Sequence, residues 1–461
     1  EYLSDFDVSD VDIHANIERQ AAFDKPVYET KPYAITEDES LEDNTYLSYN
    51  AVIGTSVDAK LYLAFQILDY ALVMTPGAPV KQALLDAGIS TDVYSSYETS
   101  LYQPVYSIVA KNSNSKEQDR FVSVINDTLE KLVKDGINER TIEAGINYYE
   151  FKYREADYGP YPKGLMYYLT MMDSWLYDET KPFIHIEAGD TFDELKKNAR
   201  NGYFEKLIKE YLLDNNHKSI ISLVPEYGLE KEKEQKEADK LAEYKSTLTN
   251  DKLEELVKKT KELKEYQDTP SSQEDLEKIP MLELSDIKRE PAKDYNDVKS
   301  VDGIKIVHHN IFTNKIAYIN MSFDTKCVPD ELIPYMGWLG STLSLMDTKN
   351  YTYPELTNEI NINCGGLATG TALYSDKVDF SKNTIVYEVK SKALYEKVPF
   401  VLGMMEEIMY NTRFDDYKRL KEIIARIKSR LEASLMGQGH SIAMLECCAQ
   451  FSESAYYSDI L

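Results

Sequence analysis

Apolar residues along this chain alternate between the period of a strand and that of a helix. Leu61, Ala64, Phe65, Leu68 and Leu72 share one helical face and predict a helix over about 58–74. The β-branched and aromatic run at 45–54 predicts a strand before it, and a short helix over 80–87 ends at Gly88. Strand-like runs follow at 92–99 and 102–111, then long helices at about 117–134, 139–156, 162–177 and 193–213. A strand at 218–224 closes this unit at Pro225. Ahead of it, 1–25 reads as the tail of something earlier, with an amphipathic helix around Val11, Ile13, Ile17 and Ala21. Residues 26–43 read as a Pro- and acid-rich linker.

The pattern changes at 229–268, which is almost all Glu, Lys, Leu, Ala and Gln. Two helices are predicted there, separated by Ser246-Thr247-Leu248-Thr249, with Thr249 as the N-cap of the second. Glu254/Lys258 and Glu255/Lys259 have i,i+4 spacing. The thin apolar stripe of Leu241, Leu248, Leu253, Leu256 and Leu263 fits a hairpin lying on or between domains. Residues 269–296 read as a linker.

From 301 the earlier order returns. Strands are predicted at 303–310 and 315–324, helices at about 330–346 and 354–362, strands at 366–374 and 384–391, and helices at 394–411, 415–435 and 438–455. Phe121 to Glu155 and Val398 to Glu432 each hold a helix, a turn and a second helix, the turns being Gly136-Ile137-Asn138-Glu139 and Thr412-Arg413-Phe414-Asp415. Similarity at this spacing predicts a duplicated α/β unit rather than a solenoid.

A length of 461 residues suggests two or three domains. No window holds 18 consecutive apolar residues, so no membrane-spanning helix is expected. The formal net charge of −27 argues against nucleic acid, whose phosphates need a basic surface, and is compatible with basic peptides. The four cysteines, Cys327, Cys364, Cys447 and Cys448, form no CxxC pair and no disulfide framework, which favours a reducing compartment such as a bacterial cytoplasm. The first residues, Glu1 to Asp7, carry no Met, basic n-region or apolar h-region, and the end at Leu461 is as abrupt, so both ends read as cuts.

The candidate chemistry is sparse. The six histidines are His14, His185, His217, His308, His309 and His440, and none sits in HExxH or HxxEH, the helical spacings that aim two imidazoles at one zinc. His308 and His309 fall in a strand, where neighbours point to opposite faces. His185 and Glu187 would share a face if extended, but two ligands are too few. There is no phosphate-binding GxGxxG or Walker A loop and no GxSxG elbow; Gly365, Gly366 and Gly370 read as turn residues. The aromatic run Tyr148, Tyr149, Phe151, Tyr153, Tyr158, Tyr161, Tyr167, Tyr168, Trp175 and Tyr177 reads first as helix packing and second as a peptide-contacting wall. No catalytic, cofactor-binding or metal residue is assigned.

One stretch is nevertheless distinctive. Tyr153-Arg154-Glu155-Ala156-Asp157-Tyr158-Gly159-Pro160-Tyr161-Pro162-Lys163-Gly164-Leu165, followed by Trp175-Leu176-Tyr177 and Lys181-Pro182-Phe183, resembles the presequence-protease (falcilysin-like) branch of the pitrilysin or insulinase zinc metallopeptidases. Thr75 to Gly88 is similar to that branch's small-residue and Pro turn with its following helix. His217 to Pro225, the charged hairpin and Leu276 to Ile287 are similar to its hinge region. The resemblance spans nearly the whole chain.

It implies an α/β fold of four homologous domains in the parent, in two halves joined by a helical hairpin and closing over a peptide-sized chamber. Zinc would be held in the first domain by an HxxEH helix and a distal Glu, and would activate water for peptide hydrolysis. Residues of the last domain would complete the site. On this reading, 1–43 is the tail of the preceding domain and linker, and 44–225 a second, inactive pitrilysin-type domain. Residues 226–296 are the hairpin hinge and linker, and 297–461 a third, inactive and truncated domain. Aligning Tyr353-Pro354 with a dipeptide that follows the zinc helix in this family's catalytic domains puts Gly340-Ser341-Thr342-Leu343-Ser344 at the HxxEH position, and none of the five ligates zinc well. The chain is expected to hold no cofactor of its own. Its expected partners are peptide substrates and the missing catalytic and C-terminal domains, with neither nucleic acid nor membrane. The alternative is a non-enzymatic structural or peptide-binding protein built from degenerate domains of the same type.

Overall fold

The alternation Leu47, Tyr49, Ala51 buries every second side chain of β2 (Thr45–Val52), and this strand organises the first sheet. The computed structural model describes residues 2–7, 17–290, 295–379 and 381–461. Its chain forms two compact units, one of 1–33, 40–225 and 314–461, the other of 34–39 and 226–313.

In the first unit, β1 (Val27–Ile35), β2, β3 (Asp92–Glu98), β4 (Val105–Ser113) and β5 (Lys218–Tyr227) form a sheet in the order β1-β5-β2-β4-β3. Strand β2 pairs antiparallel with both β4 and β5, and β3 with β4. The expected linker at 26–43 is therefore partly a strand. Its own pattern hid it, because β1 is mostly exposed and contains Pro32, which an edge strand tolerates.

Helices pack against the strands. Between β2 and β3 lie α1 (Ala59–Asp69), which runs into a π-helical turn at Tyr70–Met74, and α2 (Pro79–Asp86). By length and composition, 59–86 could cross a membrane, but two-thirds of its most apolar window is buried inside the protein, so it serves as core. After β4 come α3 (Gln118–Asp135), α4 (Glu139–Glu155), α5 (Lys163–Trp175), α6 (Gly189–Asn198) and α7 (Tyr203–Leu207). Phe121, Ile125 and Leu129 of α3 are fully buried at i, i+4 spacing, and Ile142 and Ile146 of α4 join the same core. Asn138 caps α4 through its side chain. The single helix expected over 193–213 is broken at 199–202, where Gly202 takes φ +68°.

A second, three-stranded sheet holds β8 (Ile316–Asp324), β9 (Leu367–Ser375) and β10 (Asn383–Leu394) in the order β8-β10-β9, antiparallel throughout. Its helices are α11 (Ile333–Thr342), α12 (Tyr353–Asn363), α13 (Val398–Asn411), α14 (Tyr417–Ala449) and α15 (Glu453–Ile460). Helix α14 spans both helices expected over 415–455, with non-helical angles at Gln438 between two glycines, and α15 takes the end of that stretch. Its core gathers Met336, Leu343, Leu356, Ile360, Tyr387, Val389, Val401, Met404 and Ile408.

The second unit holds the charged helices α8 (Leu229–Thr247) and α9 (Asn250–Asp268), the short α10 (Gln273–Glu277), and β6 (Asn296–Val301) paired with β7 (Ile304–His309). Thr249 caps α9 as expected, accepting from the Lys252 amide. No residue of α8 or α9 is buried, and the stripe residues Leu241, Leu256 and Leu263 are exposed. Lys259 pairs with Glu255 at 2.7 Å, but Lys258 turns to Glu262 rather than Glu254. The strand expected at 303–310 pairs with 296–301 and takes no place in the three-stranded sheet. The Asp302-Gly303 turn decides this: both residues take positive φ, 51° and 84°, the geometry of a two-residue hairpin turn.

Of the helix expected around Val11, Ile13, Ile17 and Ala21, the first two residues lie outside the described set, as does His14, and 17–23 has no regular structure.

Candidate functional site

The residues singled out by the sequence do not converge. His185 and Glu187 sit in a turn rather than a strand; His185 is buried and Glu187 is not. The His185 ring stacks on Tyr62 at 3.9 Å between centroids, and its Nε2 meets the Ser56 carbonyl at 2.8 Å. That carbonyl can only accept, so Nε2 carries the proton and Nδ1 is left buried without a partner among the described residues. Burial pushes the imidazole down to about 4, partly offset by the Ser56 bond. His217 is buried edge-on to Phe23, while His308, His309 and His440 are exposed. All four cysteines are free thiols.

The aromatic run divides. Tyr149 and Tyr153 pack on the core, Tyr148 meets Tyr70, and Tyr177 stacks on Tyr102. Tyr161, Tyr168 and Trp175 are exposed. The packing reading holds for the first part of the run.

Polar side chains do converge where the two sheets' helices meet, along α4 and α12. Glu155, whose side chain is 6% exposed, accepts from Lys392 Nζ at 2.6 and 2.8 Å and from the Tyr318 hydroxyl at 2.8 Å. Burial and the Glu155 carboxylate push the Tyr318 phenol up to about 12. Asn361 donates to the Tyr70 hydroxyl at 2.7 Å, Asn358 to Thr141 at 2.9 Å, and Arg140 pairs with Glu359. Gly365 lets the Phe151 ring approach to where a side chain would begin. Beside these lies a cavity of about 150 Å³, lined by Phe151, Arg154, Asn361, Cys364 and Lys397 among others. Glu155 belongs to the motif quoted above, but its partner stands 237 residues away, so spacing could not reveal the pair.

The family profile for the region associated with subfamily C of the M16 peptidases matches residues 223–461, more than half of the chain, and that described as "Peptidase M16 inactive domain" matches 1–149. The chain belongs to the M16 peptidase family. It is 39% identical to Protein HypA of Clostridium perfringens over 459 residues, covering 100% of this chain and 47% of that one. It is 29% identical to Presequence protease 1, chloroplastic/mitochondrial, of Arabidopsis thaliana over 466 residues, covering 100% of this chain and 43% of that protein. The chain thus spans less than half the length of either relative. The crystal structure of pitrilysin is similar at TM-score 0.40 and 13% identity, covering 88% of this chain and 40% of that one.

M16 peptidases depend on zinc, which needs three or four converging imidazole, thiolate or carboxylate donors. Among the described residues no group of three such side chains comes together. Gly340-Ser341-Thr342-Leu343-Ser344, at the position aligned with HxxEH, lies at the end of α11 and in the turn after it. There the helix sits hard against the sheet: a Cβ on Gly340 would stand 2.7 Å from the Gly370 Cα. Gly370 is a strand residue of β9 paired with Glu388, not a turn glycine. The described residues do not fit the metal.

Proposed function

We propose that this M16 peptidase chain is a non-catalytic middle portion of a zinc-dependent peptidase, forming chamber wall and hinge around peptides cleaved elsewhere in the polypeptide. The observation that carries the reading is at α11. Where the aligned motif would place zinc ligands, a glycine is pressed against backbone and the neighbouring side chains are Ser, Thr and Leu. The match to an M16 inactive domain and the relationship to presequence proteases support it.

The domain arrangement belongs to the same proposal: 44–225 and 297–461 as copies of one domain, with 226–296 as the hinge between them. Supporting it, both sheets contain an antiparallel trio in the same order, β2-β4-β3 and β8-β10-β9, each with a helix pair between its first two strands in sequence and another after its third. The exposed side chains of Tyr161, Tyr168 and Trp175 supply apolar area with polar tips, which suits contact with peptide.

The test compares this chain with the full-length parent. The full-length protein should hold zinc after dialysis, cleave an unstructured peptide and stop when a chelator is added. This chain should neither hold zinc nor cleave, and its thermal midpoint should not move with chelator. Zinc held tightly by side chains of 1–461 would overturn the reading. A full-length protein that neither binds zinc nor cleaves would point to the structural, non-enzymatic alternative.

A further inference from the structure

A second polar cluster lies away from the Glu155 pair, where α2 and β3 face α14. It surrounds a narrow crevice of about 20 Å³ lined by Lys81, Gln82, Asp92, Arg419, Glu422 and Arg426 among others. Arg419 is 6% exposed. Its Nε donates to the Leu345 carbonyl at 3.1 Å, its Nη1 to Glu422 at 3.2 Å, and its guanidinium lies 3.9 Å over the Tyr353 ring. Its Nη2 is buried with no partner among the described residues. Lys81 is 8% exposed, and the Asp92 carboxylate in the same lining acts on its ammonium group.

The charges do not balance. Lys81, Arg419 and Arg426 line the crevice against the two carboxylates of Asp92 and Glu422, one positive charge in excess; Arg430 is exposed, and Asp69, which acts on Lys81, lies outside the lining. Burial, and then the Arg426 guanidinium, push the Lys81 amine down to about 8, and burial also lowers Arg426. Buried cations are ordinarily paired, because removing them from water is costly. A water could satisfy the Arg419 N–H, but it would not offset the excess positive charge. In a chain of net charge −27, an unbalanced positive crevice is a local arrangement, not a consequence of composition.

We propose that this crevice binds one small monovalent anion of the size of chloride, held between Lys81 of the first sheet's helices and Arg419 and Arg426 of α14, and that this ion ties the two regions together. Size selects the class: the enclosed space is close to that of a single water-sized sphere, which admits a monatomic anion and not a tetrahedral one. The wider recess beside it, about 730 Å³ and lined by Lys116, Lys418 and Lys421 among others, would take larger anions and offers them less discrimination.

Thermal unfolding of the whole chain tests this at constant ionic strength, with sodium chloride replacing sodium gluconate. A saturable rise of about 2 °C or more is expected in chloride. Lys81→Met and Arg426→Met, made singly, each remove one cation from the lining, and each should lose the chloride-specific rise while its midpoint in gluconate serves as its own baseline. Bromide-soaked crystals should show an anomalous peak between Lys81 Nζ and Arg419 Nη2. Equal midpoints in the two salts, an undiminished rise in Lys81→Met, or a peak only in the outer recess would overturn the proposal. So would an equal rise in phosphate.

Discussion

At the scale of single residues, His185 shows how burial converts a candidate ligand into a stability element. Its proton-bearing Nε2 is committed to the Ser56 carbonyl and its ring to Tyr62, so the imidazole is held neutral. Its folded value of about 4 lies below the unfolded value of 6.5. Between those two pH values the unfolded chain takes up a proton that the folded chain refuses. His185 therefore costs stability progressively as pH falls from 6.5 to 4, by up to ~3 kcal/mol, and nothing above 6.5. A His185→Gln variant should show a flatter decline in urea midpoint over that window than the unaltered chain. Equal slopes would mean the ring is accessible to protons in the folded state. The sequence named His185 as a histidine of interest, yet nothing in its neighbours indicated that Ser56 and Tyr62 would enclose it.

At the scale of elements, α8 and α9 are where local rules were sufficient. Their boundaries and the Thr249 cap follow from composition and capping chemistry, because no residue of either helix is buried. The same exposure makes them weak: helices of this length gain little in water without a buried face. Amides of α9 should exchange with deuterium much faster than those of α4, where Ile142, Ala144, Gly145 and Ile146 are buried. Hydrogen exchange on the whole chain measures this directly, and protection over 250–267 equal to that over 139–155 would rule out the hinge role. Elsewhere local rules misjudged elements whose partners decide them. The strand β1 carries no strong alternation because only its end is buried, and β7 found β6 through a tight turn instead of joining the later sheet.

At the scale of the whole molecule, the first unit is held across its two sheets by polar pairs rather than by one continuous apolar core. Glu155 is the most committed of them. Removing Lys392 leaves a buried carboxylate whose remaining partner among the described residues is the Tyr318 hydroxyl, so Lys392→Met should cost about 2–3 kcal/mol. Adding Glu155→Gln to that variant should recover part of the loss, since the uncompensated charge is gone. Chemical denaturation of the two single variants and the double variant checks this; additive losses would place the pair on the solvated surface instead.

The sequence by itself determined the helix and strand order of both α/β regions, the charged helices between them, and membership in a peptidase family through the Tyr153–Leu165 and Trp175–Phe183 motifs. These rest on period, capping and local chemistry, which act within a few residues. Tertiary structure alone decided which strand lies beside which, that Gly340 would be pressed onto Gly370, that Glu155 would meet Lys392, and that Lys81 would face Arg419 and Arg426. Those contacts join residues tens to hundreds of positions apart, and their energies come from burial and charge, which exist only once the chain has folded.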